Sequence, residues 1–165
     1  MIIMKSIKIF LMSAMLLMVG CGDPDNSNTG GGGNGEEWQT TGKIVGEWEL
    51  TEWNDSEENP MRVYIRFNEN NTFDLYQRIY SAIWVHYTGT FSLKDSVLKG
   101  VYSDGEAWSA DYNIAYSTTP LRIRLTNTED EKDVAIYSAT EIPANIIEDS
   151  TEATNVRSIT LEKFL

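Results

Sequence analysis

The chain has 165 residues, of which 41% are hydrophobic and 23% are charged, so it is long enough for one domain with a core and too apolar to be wholly disordered. Its net charge of -12 would repel phosphate backbones, which argues against a nucleic-acid partner. A single cysteine excludes an intrachain disulfide framework and a multi-cysteine metal site.

Residues 1–20 have the pattern of a signal peptide. Lys5 and Lys8 form a positively charged start, and an apolar run follows over residues 9–19. This run is shorter than the roughly 20 residues that a membrane-spanning helix needs. We therefore predict that residues 1–20 are cleaved off and take no part in the fold.

The predicted signal peptide ends in Leu-Met-Val-Gly directly before Cys21. This sequence resembles the lipobox of bacterial lipoproteins, in which a small residue precedes the cysteine that becomes acylated. Met18 departs from the branched aliphatic residue that is usual at its position. The resemblance implies lipidation of Cys21 and a lipid anchor in the outer membrane of a Gram-negative cell envelope, facing either the periplasm or the outside. Two or more acyl chains anchor a protein stably.

Residues 21–42 are predicted to be the lipidated cysteine and a flexible tether, because they are rich in Gly, Asn and Asp and poor in apolar side chains. The acidic start of this stretch lacks the Gly and Glu of a calcium-binding loop, and its glycine run lacks the spacing of a phosphate-binding loop. We predict no metal site and no cofactor for this protein.

Residues 43–165 are predicted to form one all-β domain. Apolar and polar residues alternate in one segment after another, which is the pattern of strands with one buried face. The segments with an assigned buried face are 44–50, 61–67, 73–79, 85–93, 108–114 and 121–125. Two further segments, 97–103 and 134–138, are strand-like, but their patterns do not show which face is buried.

Short polar turns separate these segments. An Asn-Asn pair at residues 70–71 and an Asp-Gly pair at residues 104–105 suit tight hairpins, because Asn, Asp and Gly tolerate positive φ. Eight strands joined in this way form an antiparallel up-and-down meander, and closing it into a barrel removes both sheet edges. A short helix over residues 143–148 and a C-terminal strand over residues 156–163 complete the predicted order.

Two short motifs add a family resemblance. Gly46-Glu47-Trp48 fits the Gly-x-Trp of the first lipocalin strand, and residues 67–73 are similar to a hairpin of small bacterial lipocalin-like lipoproteins. Together with the predicted strand order, these motifs make residues 43–165 resemble a lipocalin domain. The resemblance implies barrel closure by a late arginine laid over the tryptophan. Alternation along the predicted C-terminal strand places Arg157 on the inner face, as this contact with Trp48 requires. The alternative is that Arg157 is a surface charge.

The chain offers little for catalysis. His86, the only histidine, falls on the outer face of its strand, and most acidic residues cluster in polar turns. A catalytic triad or a zinc site needs a histidine in a cleft with partners oriented around it. We therefore predict no catalytic residues and no enzymatic activity.

The inner face of the predicted barrel is rich in aromatic residues. Its candidate ligand-binding residues are Trp48, Gln77, Tyr87, Phe91, Trp108 and Tyr112. An eight-stranded barrel is either filled by its side chains or just wide enough for one small ligand. Gln77 is the only long polar side chain on this otherwise apolar face, so we expect it to contact the ligand. The leading hypothesis is a carrier of a small apolar or amphipathic molecule.

A barrel filled by its own side chains would instead act through its outer surface. Tyr64, Tyr76 and Tyr80 are predicted on that surface, together with three arginines of the same two strands. Tyr and Arg are frequent in protein interfaces. The second hypothesis is therefore an interaction or inhibitor module with a protein partner in the cell envelope.

Overall fold

The computed structural model describes residues 36–54, 61–79, 81–153 and 162–165. Cys21, Arg157 and the predicted signal peptide lie outside these residues. The elements, in chain order, are β1 (Gly46–Trp53), β2 (Arg62–Phe67), β3 (Thr72–Arg78), β4 (Val85–Lys94), β5 (Val97–Tyr102), β6 (Tyr112–Thr118), β7 (Leu121–Asn127), β8 (Val134–Ala139), α1 (Ala144–Asp149) and β9 (Thr151–Glu152).

Strands β1 to β8 close into a barrel. Each strand pairs antiparallel with its neighbour in chain order, and β8 pairs back onto β1. The predicted eight-stranded antiparallel up-and-down barrel is confirmed. The turns β2–β3, β4–β5 and β6–β7 lie at one end, which we call the floor. The other connections between barrel strands lie at the opposite end, which we call the mouth.

Two of the floor turns use residues that accept a positive φ. Asn71, in the predicted Asn-Asn turn, has a φ of 63°. The β4–β5 hairpin turns on Asp95 and Ser96, with φ values of 51° and 62°. In the β4–β5 turn, two consecutive residues with positive φ match the right-handed twist of paired strands, so this turn holds the register of its hairpin.

The connection between β5 and β6 folds back along β5. The Trp108 amide donates to the Gly100 carbonyl at 3.0 Å, and the predicted turn at residues 104–105 lies within this loop. A Cβ atom at Gly100 would overlap the Trp108 indole, so the close approach requires glycine. The predicted strand 108–114 therefore begins only at Tyr112, and Trp108 belongs to the loop.

Helix α1 lies against the outside of the barrel. It follows Pro143, as the sequence predicts, and its buried Ile146 packs in a cluster with Tyr64 and Tyr76. Within the described ranges, no helix combines the length and apolar character that crossing a membrane requires.

Strand β9 is an addition that the sequence does not predict. It runs parallel to the start of β4, with Thr151 beside Val85 and Glu152 beside His86. The predicted C-terminal strand, residues 156–163, falls mostly outside the described residues. Its last two residues, 162 and 163, are not in a strand.

Residues 36–42, which the sequence places in the tether, contact the barrel. Gln39 exchanges two backbone hydrogen bonds of 2.8 Å with Tyr116 of β6. Glu36 pairs with Arg122 of β7 at 3.0 Å. This segment therefore packs against β6 and β7.

Candidate functional site

Four buried tyrosines point into the barrel towards the mouth. They are Tyr87 on β4, Tyr102 at the end of β5, Tyr112 at the start of β6 and Tyr137 on β8. Burial raises the pKa of all four hydroxyls above their ordinary value of 10.0. They therefore stay protonated at neutral pH and can donate hydrogen bonds.

Tyr137 differs from Tyr102 and Tyr112 in its hydrogen bonding. It is 0% exposed, and its hydroxyl finds no hydrogen-bond partner among the described residues. By contrast, the Tyr102 hydroxyl donates to the Leu165 carbonyl at 2.8 Å, and the Tyr112 hydroxyl lies 3.4 Å from that of Ser109. A buried hydroxyl without a partner costs about 1–3 kcal/mol. Tyr137 thus offers an unused hydrogen-bonding group inside an apolar barrel.

Aromatic rings fill the interior towards the floor. The ring centroids of Phe67 and Phe91 are 4.9 Å apart, and those of Phe73 and Trp108 are 5.2 Å apart, both edge-to-face. Trp108 also packs against Tyr112, at 6.2 Å. Side chains of the protein itself therefore fill this part of the interior.

Residues 162–165, which we call the mouth segment, lie in the mouth against inward-facing side chains. Gln77 is 3% exposed; its Nε2 donates to the Glu162 carbonyl at 2.5 Å, and its Oε1 accepts from the Phe164 amide at 3.0 Å. The Phe164 ring packs edge-on against Trp53 at 6.1 Å. The amide group that the sequence assigns to a ligand therefore binds the chain itself.

A charged contact joins the mouth segment to the β5–β6 loop. Lys163 Nζ lies 2.6 Å from Asp104 and 2.5 Å from Glu106, and 4.4 Å from the centre of the Tyr102 ring. Burial alone would lower the pKa of Lys163, but hydrogen bonds to the two carboxylates raise it above its ordinary value. The ammonium therefore keeps its charge across the physiological range.

Trp48 lies at the floor, away from the tyrosines. Its indole Nε1 donates to the Ile44 carbonyl at 2.8 Å, and its ring is buried. Gly46 has a φ of 151°, which side-chain-bearing residues rarely adopt. The Gly-x-Trp motif thus turns the chain so that the indole covers the floor. Arg157 lies outside the described residues, so its contact with Trp48 stays a prediction.

The family comparison agrees with this geometry. Residues 44–125, from the start of the barrel into β7, match the family model described as a lipocalin-like domain. The barrel is lipocalin-like in its fold. Comparisons with curated proteins and with solved structures find no significant match.

All six predicted ligand-binding residues of the lipocalin-like domain are buried and face inwards. Phe91 and Trp108 belong to the aromatic packing, Tyr112 connects that packing to the other inward tyrosines, and Gln77 and Tyr87 lie nearer the mouth. The structure therefore divides the predicted set between a packed interior, the mouth and the floor.

Sequence patterns do not identify Tyr102 and Tyr137, because both lie in strands without an assigned face. In β5, apolar residues occupy both faces, with Val101 exposed to solvent. The charged Lys99 is the signal that could place Tyr102 inside, since it marks the outer face. In β8 no charged residue marks a face.

The outer tyrosines do not form the exposed surface that the interaction hypothesis requires. Tyr64 and Tyr76 lie outside the barrel, but α1 and Trp84 cover them and both are buried. The Tyr64 hydroxyl donates to Glu49 at 2.8 Å, and burial together with this carboxylate raises the pKa of Tyr64 to about 12. Tyr80 lies outside the described residues.

His86 lies on the outer face of the lipocalin-like domain, as predicted. Its Nε2 faces Asp74 at 3.0 Å and its Nδ1 faces Glu152 at 2.8 Å. The three groups do not converge on one point, and no group of three or more His, Cys, Asp or Glu side chains in the described ranges is arranged to hold a metal ion.

Proposed function

We propose that the lipocalin-like domain is a non-enzymatic carrier that binds a small amphipathic molecule inside its barrel near the mouth. We further propose that the protein is a lipoprotein, anchored through Cys21 to the outer membrane of the cell envelope. The observation that supports ligand binding best is the buried Tyr137 hydroxyl, which has no partner in the described part of the chain.

The surroundings of Tyr137 determine the chemistry of the proposed ligand. The inward groups close enough to affect the pKa of Tyr137 include the tyrosines Tyr102 and Tyr112, which are protonated at neutral pH. Such a lining favours an apolar body with one hydrogen-bonding group, because apolar pockets fix a ligand's orientation through a few polar contacts. A carbonyl oxygen on the ligand would pair with the Tyr137 hydroxyl.

The position of His86 supports a carrier rather than an enzyme. It is the only histidine of the chain, and it lies outside the barrel with both ring nitrogens facing carboxylates. General acid–base catalysis requires a titratable side chain within reach of the substrate. The interior hydroxyls of the tyrosines, with raised pKa values, are poor bases at neutral pH.

The test uses Prodan, a neutral fluorescent naphthalene ketone that carries a carbonyl acceptor on an apolar body. It is titrated into the full chain and into Phe164→Ala, in which the ring that packs on Trp53 is removed from the mouth. We expect a blue-shifted emission on binding. In the Phe164→Ala background, Tyr137→Phe should weaken binding about two- to tenfold, the value of one hydrogen bond.

Tyr116→Phe in the same background is the matched control. It also removes a buried hydroxyl without a partner among the described residues, but the Tyr116 ring packs against Gly42. Its Prodan affinity should equal that of the background. The proposal is wrong if Prodan binds neither protein, or if the two tyrosine variants lose affinity equally.

A further inference from the structure

We propose that the mouth of the barrel is a peptide-recognition site. The site binds an extended segment in which a basic, an aromatic and an aliphatic residue follow one another. Within this chain, the mouth segment, Glu162–Leu165, occupies the site. This inference concerns a second class of ligand and holds whether or not a small molecule binds deeper in the barrel.

The site contacts the backbone of its occupant through side chains. Gln77 donates to the Glu162 carbonyl and accepts from the Phe164 amide, which is how a neighbouring strand would pair with alternate residues. The Tyr102 hydroxyl donates to the Leu165 carbonyl. These three hydrogen bonds require an extended backbone and no particular sequence. They are the contacts expected of a site that accepts peptides.

The side chains of the occupant meet three different surfaces. The Lys163 ammonium contacts the carboxylates of Asp104 and Glu106 and lies over an aromatic ring. Phe164 packs edge-on against Trp53, and Leu165 is buried in the core. The site thus offers, in order, carboxylates for a basic residue, an aromatic ring for an aromatic residue and an apolar pocket for an aliphatic residue. This order would favour a basic–aromatic–aliphatic peptide over the same residues in another order.

The contacts that hold the mouth segment are those of an exchangeable occupant. None of its residues joins a strand of the barrel, so no backbone ladder holds it. The Lys163 side chain is 15% exposed, but the carboxylates of Asp104 and Glu106 are 52% and 68% exposed, so water competes for the acidic side of both ion pairs. A segment within the same chain acts at an effective concentration in the millimolar range.

The effective concentration of the mouth segment predicts how tightly the same sequence binds the site as a free peptide. If the mouth segment occupies its site for more than about nine-tenths of the time at millimolar effective concentration, its dissociation constant as a free peptide is about 0.1 mM or lower. A peptide of the same chemistry on another molecule can then compete with it.

The experiment uses the full chain carrying Lys163→Glu and Phe164→Ala, which reverses the charge and removes the ring of the mouth segment. The probe is a fluorescein-labelled Glu-Lys-Phe-Leu peptide, followed by fluorescence anisotropy. We expect binding with a dissociation constant of about 0.1 mM or lower, and at least roughly tenfold weaker binding to the wild-type chain, whose site is occupied.

Two controls isolate recognition by the site. Adding Gln77→Leu to the double variant should weaken peptide binding at least about tenfold, because two backbone contacts are lost. Adding Leu121→Ala, at an exposed position of β7 at the floor, should leave it unchanged. A peptide of the same composition in the order Phe-Glu-Leu-Lys should bind at least about tenfold more weakly than the probe.

Equal anisotropy with both peptides, or no binding to a double variant that keeps the wild-type circular dichroism, would overturn the inference. If the double variant does not fold, hydrogen exchange is measured on the wild-type chain instead. There the Phe164 amide should exchange by local opening, much faster than the Leu75 amide of β3. Equal exchange rates would contradict an exchangeable occupant. Peptide binding without Prodan binding would keep this inference and reject the proposed small-molecule site.

Discussion

His86 is held between two carboxylates on the outer surface of β4. Besides facing Asp74 and Glu152, its ring stacks on Tyr76, with ring centroids 4.4 Å apart and planes 3° from parallel. Burial alone would lower the pKa of His86, but hydrogen bonds to the two carboxylates raise it above 6.5. The hydrogen bond from His86 in turn lowers the pKa of Asp74.

The raised pKa of His86 predicts a pH dependence of stability. The stabilisation by protonated His86 is fully present below the unfolded value of 6.5 and is lost as the pH rises through the higher folded value. Urea unfolding should therefore show that the wild-type chain loses stability relative to His86→Gln as the pH rises above about 6.5. An equal change with pH in both proteins would show that His86 does not contribute.

At the level of elements, α1 depends on the barrel for its stability. It has six residues and no side-chain cap at its start, and isolated helices of this length do not form in water. Ile146, 6% exposed, packs in the cluster with Tyr64 and Tyr76, whereas the next residue, Ile147, is 37% exposed. The two isoleucines of one helix therefore form a matched pair for testing what the contact contributes.

Ile146→Ala should lower the free energy of unfolding by about 2 kcal/mol or more, because it removes buried methylenes and leaves a cavity beside the two tyrosines. Ile147→Ala should change it by less than about 0.5 kcal/mol, as exposed positions usually do. Urea unfolding followed by tryptophan fluorescence measures both values. Similar losses in the two variants would mean that α1 does not stabilise the barrel through this cluster.

The strands could be predicted from the sequence where polar and apolar residues alternate cleanly. In β2 and β3 the predicted inner residues are buried in the structure, because these strands have a charged or polar residue at nearly every second position. In β5 and β8 the alternation is weak, so the sequence finds the strands but not their faces. Alternation also predicts Trp108 in a strand, but in the structure its ring occupies the space above Gly100, and Trp108 lies in the loop.

The candidate site was predictable only in part, for a related reason. Periodicity identifies Gln77 as an unusual inward polar residue, but it cannot show what binds the amide. The partners of Gln77 are in residues 162–165, and a contact across 85 positions of sequence leaves no local pattern. The position of a peptide segment inside the mouth is therefore a property of the tertiary structure alone.

At the level of the whole molecule, the net charge and the proposed lipid anchor have opposite effects on association with a membrane. Without residues 1–20, the chain has 11 basic and 25 acidic residues, a net charge of -14. Anionic headgroups would repel such a domain. Any stable association with a membrane should therefore come from the acyl chains proposed on Cys21, with no electrostatic contribution from the barrel.

Cys21→Ser should therefore release the protein from the membrane completely. The wild-type chain should stay in the membrane pellet after a wash in about 1 M salt, because salt screens charges and leaves acyl chains inserted. It should also take up an alkyne-labelled palmitate, and the variant should not. The serine variant should appear in the soluble fraction with the circular dichroism of a folded barrel. A folded Cys21→Ser protein that still pellets would show that another part of the chain binds the membrane.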